Sequence, residues 1–204
     1  MYKRQLLFSL PFKISPNLHF HLFTLLTKFN LLNLLNDPVI NKASKLINKG
    51  DTIIDVGANR GTYSYLFSFL NKNGSKVFAF EPQETVFNIL EKNIGSKVNI
   101  YKLGVSSRQG DSIFYEHLEG SGPSSSLEKF SDFETEKKVL SYPVKITTLD
   151  LFCEEHDLTP SFLKIDTEGH DLEVIYGAKN VIKINKPVII FEFLPDLTPT
   201  DNSV

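Results

Sequence analysis

The stretch "TIIDVGANRGTYSYLF", Thr52–Phe67, decides the fold. A short β-branched run ends in an acid, two glycines follow at positions 57 and 61, and a sequence of helical character comes next. "DTIIDV", bounded by Gly50 and Gly57, has the pattern of a buried parallel strand. "TYSYLFSFLNK" predicts a helix that Asn73 and Gly74 stop. Glycines in such a bend let the backbone come close to something, so the first question is what lies against it.

The same alternation continues outward from this turn. "KVFAFE" predicts a second strand and "ETVFNILEKNI" a second helix, with Val86, Ile89, Leu90 and Ile94 on one face. "VNIYKLGVS" predicts a third strand. Residues 111–148 break the rhythm: "DSIFYEH" and "YPVKITTLD" read as two strands around the loop "LEGSGPSSSLEKF". "SFLKID" resumes the series, "LEVIYGAKNVI" predicts one helix and "KPVIIFEF" a last strand. Repeated strand–helix units with tight glycine turns define an α/β fold with a doubly wound, Rossmann-like parallel sheet and flanking helices.

The composition sets bounds on function. A chain of 204 residues supports one domain with a sizeable core. A net charge of −2 gives no electrostatic reason to expect nucleic acid. Cys153 is the single cysteine, so an internal disulfide and a cysteine-based zinc site are excluded, and a reducing, cytoplasmic setting fits. Residues 1–49 differ from the rest. "NLHFHLFTLLTKFNLLNLLND" is rich in Leu and Phe yet broken by polar residues, short of a membrane span. We read 1–49 as a helical segment packed on a domain at 50–204; the alternative is weak contact with a membrane surface through Lys3, Arg4, Lys13 and Lys28.

In doubly wound sheets ligands sit beyond the carboxyl ends of the strands. The residues there are Asp55, Gly57, Asn59 and Gly61 on the first, Glu81 on the second and Gly104 to Ser106 on the third. Asp166 with Glu168 follows "SFLKID", and Glu192 the last strand. So many carboxylates point to a ligand with positive charge and several hydroxyls. Asn59 stands where a dinucleotide fingerprint needs its middle glycine, and no Lys-Ser/Thr follows for a phosphate loop. Glu81 is placed to accept both hydroxyls of a ribose. A ribose without a pyrophosphate, beside acids, describes S-adenosyl-L-methionine, whose amino group would meet a carboxylate such as Asp55. Without a ligand, Gly57 and Gly61 would simply serve a tight strand–helix turn.

These pieces resemble the FkbM-type methyltransferases, within the class I S-adenosylmethionine-dependent fold. "DVGANRGTYS", "VFAFEPQ", "LGVSS", "GPSSSL", "ITTLD" and above all "FLKIDTEGHDLEVIYGA" carry the resemblance over residues 50–193. It implies cofactor contacts at Asp55, Gly57, Asn59, Gly61 and Glu81, and methyl transfer to a hydroxyl of a saccharide, a glycoconjugate or a small molecule. Gly104 and Ser106, beyond the third strand, join the expected cofactor contacts. No metal is required.

Methyl transfer is an in-line displacement, so holding the acceptor oxygen behind the methyl carbon supplies much of the acceleration. A hydroxyl also gains from a base. In "KIDTEGHD", Asp166 is expected to place cofactor or acceptor, and Glu168 or His170 to take the proton. Capping alone also favours acids at a helix start. The loop "GSGPSSSLEKF" reads either as a connector or as an acceptor-binding lid. Class I methyltransferases have two further strands, but here only "LPDLTPTDNSV" follows; the expectation is either a fragment or a sheet edge covered by the N-terminal helices, a partner or a second copy. Two rival functions remain, a methyltransferase-like binding module without turnover and a nicotinamide-dependent oxidoreductase.

Overall fold

The computed structural model describes residues 38–71, 76–94, 96, 98–117, 126–127 and 139–191. Glu192 and most of the serine-rich loop lie outside them, as do residues 1–37. The elements run in chain order α1 (Pro38–Leu46), β1 (Ile53–Val56), α2 (Thr62–Asn71), β2 (Val77–Phe80), α3 (Glu84–Ile94), β3 (Asn99–Tyr101) and β4 (Gly104–Val105). β5 (Gly110–His117), β6 (Val139–Thr147), α4 (Leu149–Glu155), β7 (Phe162–Ile165), α5 (Asp171–Tyr176), α6 (Lys179–Asn185) and β8 (Val188–Phe191) follow.

Five strands form one sheet in the order β3-β2-β1-β7-β8, and every pairing in it is parallel. The chain steps outward from β1 to β3, then returns to the other side of β1 as β7. The strand order therefore reverses between β1 and β7, the place where such sheets open a crevice. Ile53, Ile54, Asp55 and Val56 are all buried, as are all four residues of β2 and of β7, because helices cover both faces. On one face Ile54, Val56, Phe78, Phe80, Leu163 and Ile165 pack against Phe152, Val174 and Val181. On the other, Ile53, Val77, Ala79 and Phe162 pack against Ala43, Phe67, Leu90 and Ile94. Asp55 and Lys164 fall on this second face by the two-residue alternation, among apolar neighbours.

Two expectations change. "VNIYKLGVS" is not one strand: β3 stays in the parallel sheet, whereas β4 leaves it and pairs with β6. The cause is close packing, since a Cβ on Gly104 would stand 2.9 Å from Ile146 Cγ2 and 3.1 Å from Leu127 Cδ1. Gly104 therefore belongs to a second, three-stranded sheet of order β4-β6-β5, and Ser106 follows directly after β4 with its N–H donating to Thr147 O (2.9 Å), rather than ending the third parallel strand. "LEVIYGAKNVI" also divides, into α5 and α6, at Gly177. There the Asp150 N–H donates to Gly177 O (2.9 Å), and the Asp150 carboxylate caps α6 by accepting from the N–H groups of Asn180 and Val181 (3.0 and 2.9 Å). The helix α4, opened by Thr148 Oγ1 accepting from Leu151 N–H, has no counterpart in the pattern of the sequence. Of the face predicted on α3, Leu90 and Ile94 are buried and Val86 and Ile89 half-buried.

Gly61 is a packing glycine. With φ at +90°, a Cβ there would stand 2.5 Å from Ile94 Cδ1 and 2.6 Å from Leu90 Cδ1. Both atoms are ends of flexible side chains, so the core can yield at a cost. Gly61→Ala is expected to destabilise the domain by about 2 kcal/mol, read as a thermal midpoint lower by about 5 °C. An unchanged midpoint would show that α3 is loosely packed here.

Candidate functional site

Three strand ends meet at the crevice. The chain leaves β1 through Gly57, whose φ is +75°. What lies against this bend is the end of β7, for a Cβ on Gly57 would stand 2.0 Å from the Asp166 carbonyl oxygen. The N–H groups of Gly57 and Ala58 both donate to Phe80 O (3.1 and 2.9 Å), and Asp166 N–H donates to Val56 O (3.1 Å). The first turn is thus pinned to the ends of both neighbouring strands. Asn59, exposed and left-handed at φ +52°, completes it.

Glu81 follows β2. It is only 6% exposed, and its Oε2 accepts from Asn59 N–H and its Oε1 from Gln83 N–H, both at 2.9 Å. The carboxylate therefore sits between the first two strand–helix turns, facing the crevice side of β1. Burial pushes its carboxyl up to about 7, although the two N–H donors and the Lys164 charge pull the other way. Each oxygen takes one N–H and keeps a further lone pair.

The register of β1 and β7 sets Asp55 directly beside Lys164. Lys164 Nζ lies 3.1 Å from Asp55 Oδ1, 3.5 Å from Asp166 Oδ2 and 3.3 Å from Gly57 O, and 5.0 Å from the centre of the Tyr63 ring. Ser64 Oγ donates to Asp55 Oδ2 (2.5 Å). Burial by itself would lower the Lys164 ammonium, but Asp55 and Asp166 outweigh it and hold the group above an ordinary lysine. Asp55 is wholly buried, with one oxygen on Ser64 and the other on Lys164. It differs in this from the open carboxylate expected at the strand end. Asp166, by contrast, keeps 22% of its side chain exposed.

The turn after β7 is held from two sides. Asp171 Oδ2 accepts from the Thr167 hydroxyl (3.0 Å) and N–H (3.4 Å), and burial is the main reason its carboxyl is raised. Ser126 donates from Oγ to Thr167 O (3.4 Å), while its backbone exchanges two hydrogen bonds with Tyr115 of β5. The middle of the serine-rich loop therefore touches both the hairpin and the crevice. Glu168 sits half-buried at φ +52°. His170 is 7% exposed, with Nε2 3.0 Å from Ser106 Oγ, and Ser107 Oγ donates to Glu173. So the segment after β4 is fastened to α5 through His170. Lys164, Ser64, Asp171 and Ser126 do not stand out from the sequence; a lysine inside the apolar strand "SFLKID" is the available signal.

Strand order and crevice together define the class: a doubly wound, Rossmann-like α/β domain with carboxylates at its strand ends. A model of the FkbM methyltransferase domain family matches residues 55–200, and the chain belongs to that family. Among curated proteins it is similar to the hexuronic acid methyltransferase AglP of Haloferax volcanii, 30% identical over 145 residues. That match covers 69% of this chain, which spans only 55% of the relative's length. A solved structure, the methyltransferase FkbM from Methylobacillus flagellatus, aligns with a TM-score of 0.49 and 17% identity over 73% of this chain and 36% of that one. Among the described residues no helix is long and apolar enough to cross a membrane, and no group of three His, Cys, Asp or Glu side chains could hold a metal ion.

Proposed function

We propose that this domain transfers a methyl group from S-adenosylmethionine to a hydroxyl of a saccharide or glycoconjugate. The observation that carries the reading is the Glu81 carboxylate, held by two N–H groups between the first two strand–helix turns with lone pairs left for ligand hydroxyls. The crevice also fits a cation, because Asp55 and Asp166 outnumber the single ammonium of Lys164. When bound, the cofactor would supply an electrophilic methyl on a sulfonium. Glu81 would accept from the ribose, and Gly57 and Asn59 would present backbone to the nucleoside end. Asp166 would orient the amino-acid end or the acceptor. Asp55 would act through Lys164 rather than by touching the ligand. Glu168 or His170, both on the turn that follows β7, would take the hydroxyl proton. Gly104 and Ser106 would shape the cleft from behind. The saccharide acceptor is supported by the name of the curated relative, a hexuronic acid methyltransferase.

Isothermal titration with S-adenosylmethionine tests the cofactor, and labelled-methyl transfer to a panel of neutral and uronic-acid oligosaccharides tests the reaction. Saturable binding and label on one saccharide class are expected. Silence in the titration would reject the enzyme, and binding without transfer would favour a binding module.

A further inference from the structure

Building on the cofactor reading, we propose that Lys164 is a positioning residue for methyl transfer. Its buried ammonium ties the carbonyl of the cofactor turn, at Gly57, to the carboxylate of Asp166 across the crevice. The chemistry of the position argues for more than packing. Lys164 is 2% exposed in the middle of a central strand, and its same-face neighbours Phe162 on its own strand and Ile190 on β8 are apolar. An apolar side chain would fill that space without the penalty of burying a charge, and buried ion pairs exchanged for apolar residues are often neutral or stabilising. Stability therefore does not account for an ammonium here. What the ammonium touches does: Gly57 O at 3.3 Å, Asp55 Oδ1 at 3.1 Å and Asp166 Oδ2 at 3.5 Å are groups on the two strands that bound the crevice.

Local geometry explains how one side chain reaches all three. Parallel register sets Asp55 beside it on β1, and the period of two sets Asp166 on its own face one step beyond β7. Gly57 lies two residues beyond Asp55, next to Asp166. Asp166 alone of the ionic trio is open enough to meet a ligand, so holding it still is what the buried pair can contribute to function.

The test compares wild type with a double variant, Asp55→Asn with Lys164→Met, which removes both charges of the buried pair together and so leaves neither as an orphaned charge. Three readouts apply: the thermal midpoint, titration with S-adenosylmethionine and S-adenosylhomocysteine, and the NMR signal of bound cofactor labelled with carbon-13 at its methyl. A double variant melting within about 3 °C of wild type is expected to bind about tenfold more weakly and to give a shifted or broadened methyl signal. Wild-type affinity with a wild-type methyl signal would overturn the proposal. Should the double variant not fold, Asp166→Asn decides, since it leaves the Asp55–Lys164 pair whole and cuts the tie at its exposed end. That variant must weaken binding and displace the same methyl signal; if it does neither, the tie has no function. Wild type that binds no S-adenosylmethionine would instead defeat the cofactor reading, and this inference with it.

Discussion

Gly57→Ala is expected to lower the thermal midpoint by about 10–15 °C and to abolish uptake of S-adenosylmethionine. The backbone at residue 57 has φ +75°, where a side chain costs about 1–2 kcal/mol. The greater penalty is steric. The added Cβ would lie 2.0 Å from the Asp166 carbonyl oxygen and 2.9 Å from its carbon. Unlike the methyl groups that face Gly61, these are backbone atoms at the end of a central strand, held by the β1–β7 ladder and by the hydrogen bond from Asp166 to Val56. They move only if the two strands part. Overpacking that cannot relax adds about 3 kcal/mol, so the total is about 4–5 kcal/mol, a large share of the roughly 5–15 kcal/mol of a whole domain.

The two glycines thus separate by effect. Gly61→Ala should yield a folded protein with a slightly loosened α3, and Gly57→Ala a protein whose crevice no longer closes. Circular dichroism melts of both, with a titration on whichever folds, check the order. A Gly57→Ala midpoint within about 3 °C of wild type would mean that the strand ends are less tightly apposed than these distances require.

The residues that share one turn can be read from sequence; those that meet across strands cannot. Gly57, Asn59 and Gly61 announce a sharp bend, and the offset from Gly61 to Glu81 places an acid at the next strand end, where it is found. Parallel strands are legible because burial on both faces leaves continuous apolar runs. The division of "VNIYKLGVS" depends on Ile146 and Leu127 reaching Gly104, and the break in the helix after Asp171 on Asp150 and on Ser106, whose carbonyl oxygen would lie 2.0 Å from a Cβ on Gly177. No local pattern records such contacts. Likewise the burial of Lys164 can be inferred, but not its partners, since strand order alone brings Asp55 beside it. His170 reads as a base because an ordinary imidazole titrates near neutrality; that its Nε2 lies 3.0 Å from Ser106 Oγ, 64 residues earlier, is not legible in the sequence.

For Glu81, stability and ligand affinity should run in opposite directions with pH. Its carboxyl rises from 4.5 to about 7 in the folded protein, chiefly through burial. Between those values the folded chain holds a proton that the unfolded chain has released, so the stability this group contributes is present below about pH 4.5 and is lost as pH rises through about 7. The full loss is on the order of 3 kcal/mol. Ligand hydroxyls, however, donate to the ionised form, and a sulfonium favours it too. Affinity for S-adenosylmethionine should therefore climb through about pH 7, with a proton released on binding. Chemical denaturation from pH 5 to pH 8, with titrations in buffers of differing ionisation enthalpy, measures both slopes. Glu81→Gln supplies the reference, because an amide cannot titrate: the stability difference between the two proteins isolates this group from every other carboxyl and histidine. It should also bind weakly at all pH, since one face of the amide donates where an acceptor is needed. Equal slopes in the two proteins would show that Glu81 is ionised throughout, and that the buried carboxylate between the two turns is not the group that senses the ligand.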